Sequence, residues 1–126
     1  DWFIYQDYDL NWFFKYNTYI PSTFFYNKQS DKTSALEKLY QETYGAAMDK
    51  NYIPRLALTG YDHGEYFVRG LRQYGAAFKG LEKQPTKYKA LQTRLRCLPI
   101  QGGGQQNRQF QLIHFKPDQT MESLTY

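Results

Sequence analysis

Thiols are almost missing from this chain: Cys97 is the single cysteine in 126 residues, so an internal disulfide is excluded. A catalytic thiol would need an electropositive, accessible setting and a base, and only His114 and His63 offer imidazoles. Cys97 sits instead in the alternating run Thr93-Arg94-Leu95-Arg96-Cys97-Leu98, where a small buried residue is expected. Long apolar runs are missing too; no stretch approaches the ~20 residues that cross a bilayer, and none of these residues reads as a signal peptide. Charge of one sign is also scarce. The net charge of +4 is spread among interleaved acids and bases, unlike the clustered basic footprint of a nucleic-acid binder. The two histidines lie far apart without ligand-spaced partners, and Asp and Glu are scattered. The expectation is therefore a non-enzyme with no catalytic residues, no metal and no cofactor. The chain opens on Asp1-Trp2-Phe3 without an initiating Met, which reads as a piece of a longer protein whose targeting segment would lie upstream.

What is abundant is aromatic: 19% of residues, with 13 Tyr among them. Tyr joins an apolar ring to a polar tip and suits half-buried positions, interfaces and sugar-facing surfaces. With 41% hydrophobic residues the length suits one domain with a modest core, spanning residues 1–126.

Taken in order, the spacing of Tyr5, Tyr8, Trp12 and Tyr16 predicts a helix over 6–16. Residues 19–26 read as a strand whose Pro21 points to an edge or a strand start. Leu36, Leu39, Tyr40, Thr43 and Tyr44 form a helical stripe, with Ser30 or Asp31 as the cap and Gly45 as a left-handed stop. Ala76, Ala77, Phe78 and Leu81 read as a short helical piece, and 83–89 as a basic linker around Pro85. Two strands, 91–100 and 109–115, are joined by a loop containing Gly102, Gly103 and Gly104. Strand pattern follows that loop and there is no Gly-Lys-Ser/Thr, so it reads as a hairpin connection and not a phosphate cradle. Pro117 and Asp118 turn the chain into a polar tail.

Residues 55–74, RLALTGYDHGEYFVRGLRQY, organise this reading. Leu56, Ala57 and Leu58 read as a short strand, 59–62 as a turn, and the rest as a helix capped by Asp62 with Glu65 reaching back. Phe67, Gly70, Leu71, Tyr74 and Phe78 would be its apolar face. Strand, turn and capped helix make half of a βαβ unit, which would put Gly60, Tyr61 and Asp62 at a ligand-bearing rim, with His63 beside them.

The order of Leu36-Glu37-Lys38-Leu39-Tyr40-Gln41-Glu42-Thr43-Tyr44-Gly45, Leu58-Thr59-Gly60-Tyr61-Asp62, Tyr66-Phe67 and Leu71-Arg72-Gln73-Tyr74-Gly75 resembles the C-terminal lobe of type I periplasmic solute-binding proteins of the branched-chain amino-acid kind. With Asn17-Thr18-Tyr19-Ile20, Tyr74-Gly75-Ala76-Ala77-Phe78, Leu91-Gln92-Thr93, Gly103-Gly104 and His114-Phe115-Lys116-Pro117-Asp118, it is similar to Bacteroidetes envelope proteins in which a LysM peptidoglycan-binding region precedes such lobes. The resemblance implies an α/β fold, a partial lobe with a three-layer, mostly parallel sheet flanked by helices and a C-terminal β-hairpin. It implies a periplasmic or cell-envelope location, and a non-catalytic, peptidoglycan-associated, solute-binding-like protein. Its partners would be the absent N-terminal lobe and LysM region, peptidoglycan through those regions, a small solute, and a second copy through an exposed edge or lobe face. Carried over residue by residue, it leaves only Gly60, Tyr61 and Asp62 at the cleft rim. Two alternatives remain: a transport-type receptor lobe for a small amino acid or related solute, and an aromatic-rich glycan-binding module.

Overall fold

The computed structural model describes residues 9–28, 30–78 and 88–125. In chain order these form α1 (Asn11–Lys15), β1 (Tyr19–Ser22), α2 (Asp31–Tyr44), α3 (Leu56–Tyr74), a 3-10 turn (Gly75–Ala77), β2 (Cys97–Pro99), β3 (Gln105–Asn107), β4 (Gln111–Phe115) and β5 (Met121–Thr125). The strands make two antiparallel sheets, β1-β4-β5 and β2-β3. The expected three-layer, mostly parallel sheet is thus corrected: every strand pair among the described residues is antiparallel.

The decisive difference lies at residues 56–58, expected as a strand. They form the first turn of a 19-residue helix. Leu and Ala are strong helix formers, and Arg55, extended at φ −69° and ψ 118°, supplies the N-cap backbone immediately after Pro54. Gly60 and Gly64 lower the helix propensity without ending the helix. With no strand there, no βαβ unit forms.

Some local expectations hold and others do not. Pro21 does lie on an edge strand, since β1 pairs only with β4, from Tyr19 opposite His114 to Ser22 opposite Gln111. In α2, Gly45 takes the left-handed conformation (φ 69°) that closes the helix. The glycine loop is a hairpin connection, with Gly102, Gly103 and Gly104 all near φ 90°, but it joins the short β2 and β3. The expected pairing of 91–100 with 109–115 gives way to β4 between β1 and β5. The polar tail is β5 instead, folded back by a turn in which Asp118 accepts from the backbone and hydroxyl of Thr120. Of the first predicted helix only Asn11–Lys15 is seen, its first part lying outside the described residues, as do Leu81 and most of the basic linker.

Burial is split between two small clusters. Ile20, Ile113 and Phe115 pack with Phe13, Phe14 and Phe25 over the three-stranded sheet. Tyr66, Tyr88 and Leu95 pack with Phe78, Ala90 and Cys97 against α3. The helix turns Leu58, Asp62, Tyr66 and Gly70 inward at spacings of four. Gly70 is needed there because a Cβ would lie 2.1 Å from the Phe78 ring. The expected apolar face is corrected in part: Gly70 and Phe78 belong to the packed side, Leu71 is exposed, and Phe67 is about half exposed with its ring edge-on to Tyr66 and Phe78.

Candidate functional site

Asp62 is fully buried at the second inward position of that helix, one turn after Leu58, and does not cap it. Its carboxylate accepts three consecutive backbone N–H groups, from Leu91 at 2.6 Å, Gln92 at 2.8 Å and Thr93 at 2.7 Å. Successive amides converging on one anion form a nest, and here the protein fills the nest with its own side chain. Burial pushes the Asp62 carboxyl up from its ordinary value, against the downward pull of these amides. Glu65, expected to complete the cap, instead pairs with Arg69 one turn along.

Gln92 extends the lock in two directions. Its side-chain amide accepts from the Arg55 N–H at 3.0 Å and donates to the Arg55 carbonyl at 3.0 Å and the Thr59 hydroxyl at 2.9 Å, so it ties down the start of α3. Its own carbonyl accepts from the Phe25 N–H at 2.9 Å and from Gln111 Nε2 at 3.0 Å, reaching the three-stranded sheet. Arg55 then bonds Glu37 at 2.6 Å and lies 4.1 Å from the centre of the Tyr26 ring, joining α2 to the same network.

The loop held in this way forms one wall of a cavity of about 690 Å3. Tyr88, Lys89, Leu91 and Arg94 line that wall, the start of α2 contributes Ser30 and Lys32, and β4 and β5 contribute Gln111, Glu122 and Ser123. Its size falls in the range of ordinary small-molecule pockets. Glu122 bonds Lys116 at 2.6 Å and His114 Nδ1 at 3.0 Å, and both contacts hold its carboxyl below the usual range.

Of the three residues expected at a rim, Gly60 and Tyr61 are exposed on α3 and Asp62 is enclosed; none lines the cavity. His63 is half-buried on the same helix. Cys97 and His114 stand in different sheets. The Cys97 thiol is raised by burial and hydrogen-bonds Tyr66. His114 uses both ring nitrogens, on Glu122 and on Asn17 at 2.7 Å, and stacks on Tyr19. Among the described residues no three His, Cys, Asp or Glu side chains group as a metal site, and no helix is long and apolar enough to cross a membrane. Gln92 and the cavity escaped the sequence reading. The available signal was an Asp recurring in register with Leu58, Tyr66 and Gly70, since an acid inside an apolar stripe requires a partner.

No family model matches the chain, and neither a curated protein nor a solved structure matches it.

Proposed function

We propose that the chain is a non-catalytic part of a peptidoglycan-associated, solute-binding-like protein of the cell envelope, working in contact with further segments of that protein. The observation that carries this reading is the outward face of α3. Leu56, Phe67, Val68 and Leu71 stand there about half exposed or more, with Leu56 at 69%, beside Gly60 and Gly64, whose Cα atoms face open space. A helix with a second apolar face suits packing against another element as well as against its own core. The larger protein of this reading is the one the resemblance implies, and in its support two pairs of the motifs that carry the resemblance meet in space: Asp62 binds Leu91-Gln92-Thr93, and Asn17 binds His114. The test is fractionation of source cells with an antibody raised against this chain. Recovery with the envelope and with purified peptidoglycan sacculi is expected; recovery in the cytosol overturns the reading.

A glycan-binding module stands as the second reading, because Trp12 and Tyr16 are 53% and 65% exposed with rings nearly parallel. Lys15 lies 5.0 Å and 5.6 Å from the two ring centres and covers part of that surface, which places this reading second. Chito-oligosaccharide titration of Trp fluorescence, abolished by Trp12→Ala, would establish it.

A further inference from the structure

The cavity beside the Asp62-held loop carries cationic groups that the fold itself leaves unmatched. Lys32 enters from the start of α2, Lys89 and Arg94 from the two ends of the loop. None of the three has a carboxylate within ion-pair distance among the described residues, whose ion pairs are made by other cations. Glu122 is the one acid lining the cavity among the described residues, and it already faces Lys116 and His114. The charge presented to an occupant is therefore strongly positive.

The uncharged lining narrows the chemistry. Gln92 and Gln111 are buried, the Gln92 side chain engaged with the Arg55 backbone and the Thr59 hydroxyl, the Gln111 side chain donating to the Gln92 carbonyl and accepting from Ser123, so they place few free donors or acceptors in the cavity. Phe25, Tyr88 and Leu91 add apolar surface between the cations. The amide nest at Leu91, Gln92 and Thr93 is filled by Asp62, so an incoming anion would meet side-chain cations and not this nest. Cations spaced around a concave wall of this size fit a compact occupant with several negative groups on a short carbon frame. An extended polyanion would require a stripe of basic residues along an open surface.

We propose that this cavity binds a small organic anion bearing two or three carboxylates, held by Lys32, Lys89 and Arg94. The assignment deepens the solute-binding reading and rests on it.

Citrate is the probe, titrated into the 15N-labelled full chain at low salt and followed by amide shifts, with N-acetylglucosamine as the uncharged comparison. Citrate is expected to shift the amides of residues 88–94 saturably. Each of Lys32→Gln, Lys89→Gln and Arg94→Gln should weaken it up to about 5-fold, as removal of one exposed ion pair does. Added salt should weaken it further through screening. Lys38→Gln, on an exposed part of α2 outside the cavity, should leave it unchanged. Dispersed amide spectra show whether each variant is folded, and Lys89→Glu provides a charge reversal at an exposed position. Absence of saturable shifts, or affinity indifferent to all three substitutions and to Lys89→Glu, overturns the proposal. If N-acetylglucosamine perturbs the loop and citrate does not, the anion assignment falls while solute binding stands. If neither does, the assignment falls and envelope fractionation still decides the broader reading.

Discussion

Removing the carboxylate of Asp62 separates a buried lock from a helix cap by magnitude. A lost N-cap costs about 1 kcal/mol. Asp62→Ala instead strips the acceptor from three amides, of which that of Gln92 is buried while Leu91 and Thr93 are half-buried and can recruit water. An unsatisfied buried donor costs about 1–3 kcal/mol and a charge-assisted bond contributes about 1.5–3. Relief of the desolvated charge offsets part of this. The expected loss is therefore about 3–5 kcal/mol, read from urea midpoints at constant slope, together with faster hydrogen exchange at residues 91–93. A loss of about 1 kcal/mol or less, with exchange at 91–93 unchanged, would refute the lock. The pH dependence follows from the raised carboxyl. The folded chain takes up the Asp62 proton at higher pH than the unfolded chain, so this group's contribution to stability falls as pH rises from about 3.8 through the raised value. The gap between wild type and Asp62→Ala should accordingly be wider at acid pH than at neutral pH. A gap that closes on acidification would show that the three amides outweigh burial.

The helix glycines should respond oppositely to Ala. Gly60→Ala and Gly64→Ala meet open space and should each raise stability by roughly 0.5–1 kcal/mol, whereas Gly70→Ala drives into Phe78 and should lower it by about 1–2 kcal/mol net. Urea midpoints that move the same way for all three would contradict the packing. Glu122, lowered by Lys116 and His114, should add stability above about pH 4.5 that is lost as pH falls through its depressed value. Melting temperatures of wild type and Glu122→Gln should therefore converge in acid, and a constant difference between pH 3 and pH 6 would contradict this.

Local signals in the sequence were readable where one residue controls one backbone conformation. Gly45 ends α2, Pro21 confines β1 to an edge, and three glycines turn one strand into the next. Residues 56–58 are not readable in this way, because three apolar residues after Pro54-Arg55 suit a strand and a helix start equally, and length arbitrates only when the elements beyond are known. The strand at Met121–Thr125 escaped because Glu122, Ser123 and Thr125 are polar; its place is set by pairing with β4 and by the Asp118 turn. The inward face of α3 is not legible in the pattern because apolar residues occupy both sides, so the 3.6-residue period does not say which side is inward. Asp62 decides it: the buried side is the one whose acid has three donors waiting.

The same residues explain how a chain with so divided a core holds together. One cluster sits on the three-stranded sheet and the other against α3, and each is built from few buried side chains. Among the described residues the two clusters have no side chain in common. The connection is polar and passes through Gln92, whose side chain grips the start of α3 while its carbonyl grips Phe25 and Gln111 on the other side. Such a network is costly when incomplete and rigid when satisfied, so it fixes the relative position of the two clusters more sharply than apolar contact would. The cavity lies where they meet, and its cationic side chains come from elements that this network holds in place. A binding surface built on that junction inherits its precision from Asp62 and Gln92, residues that need never touch the ligand.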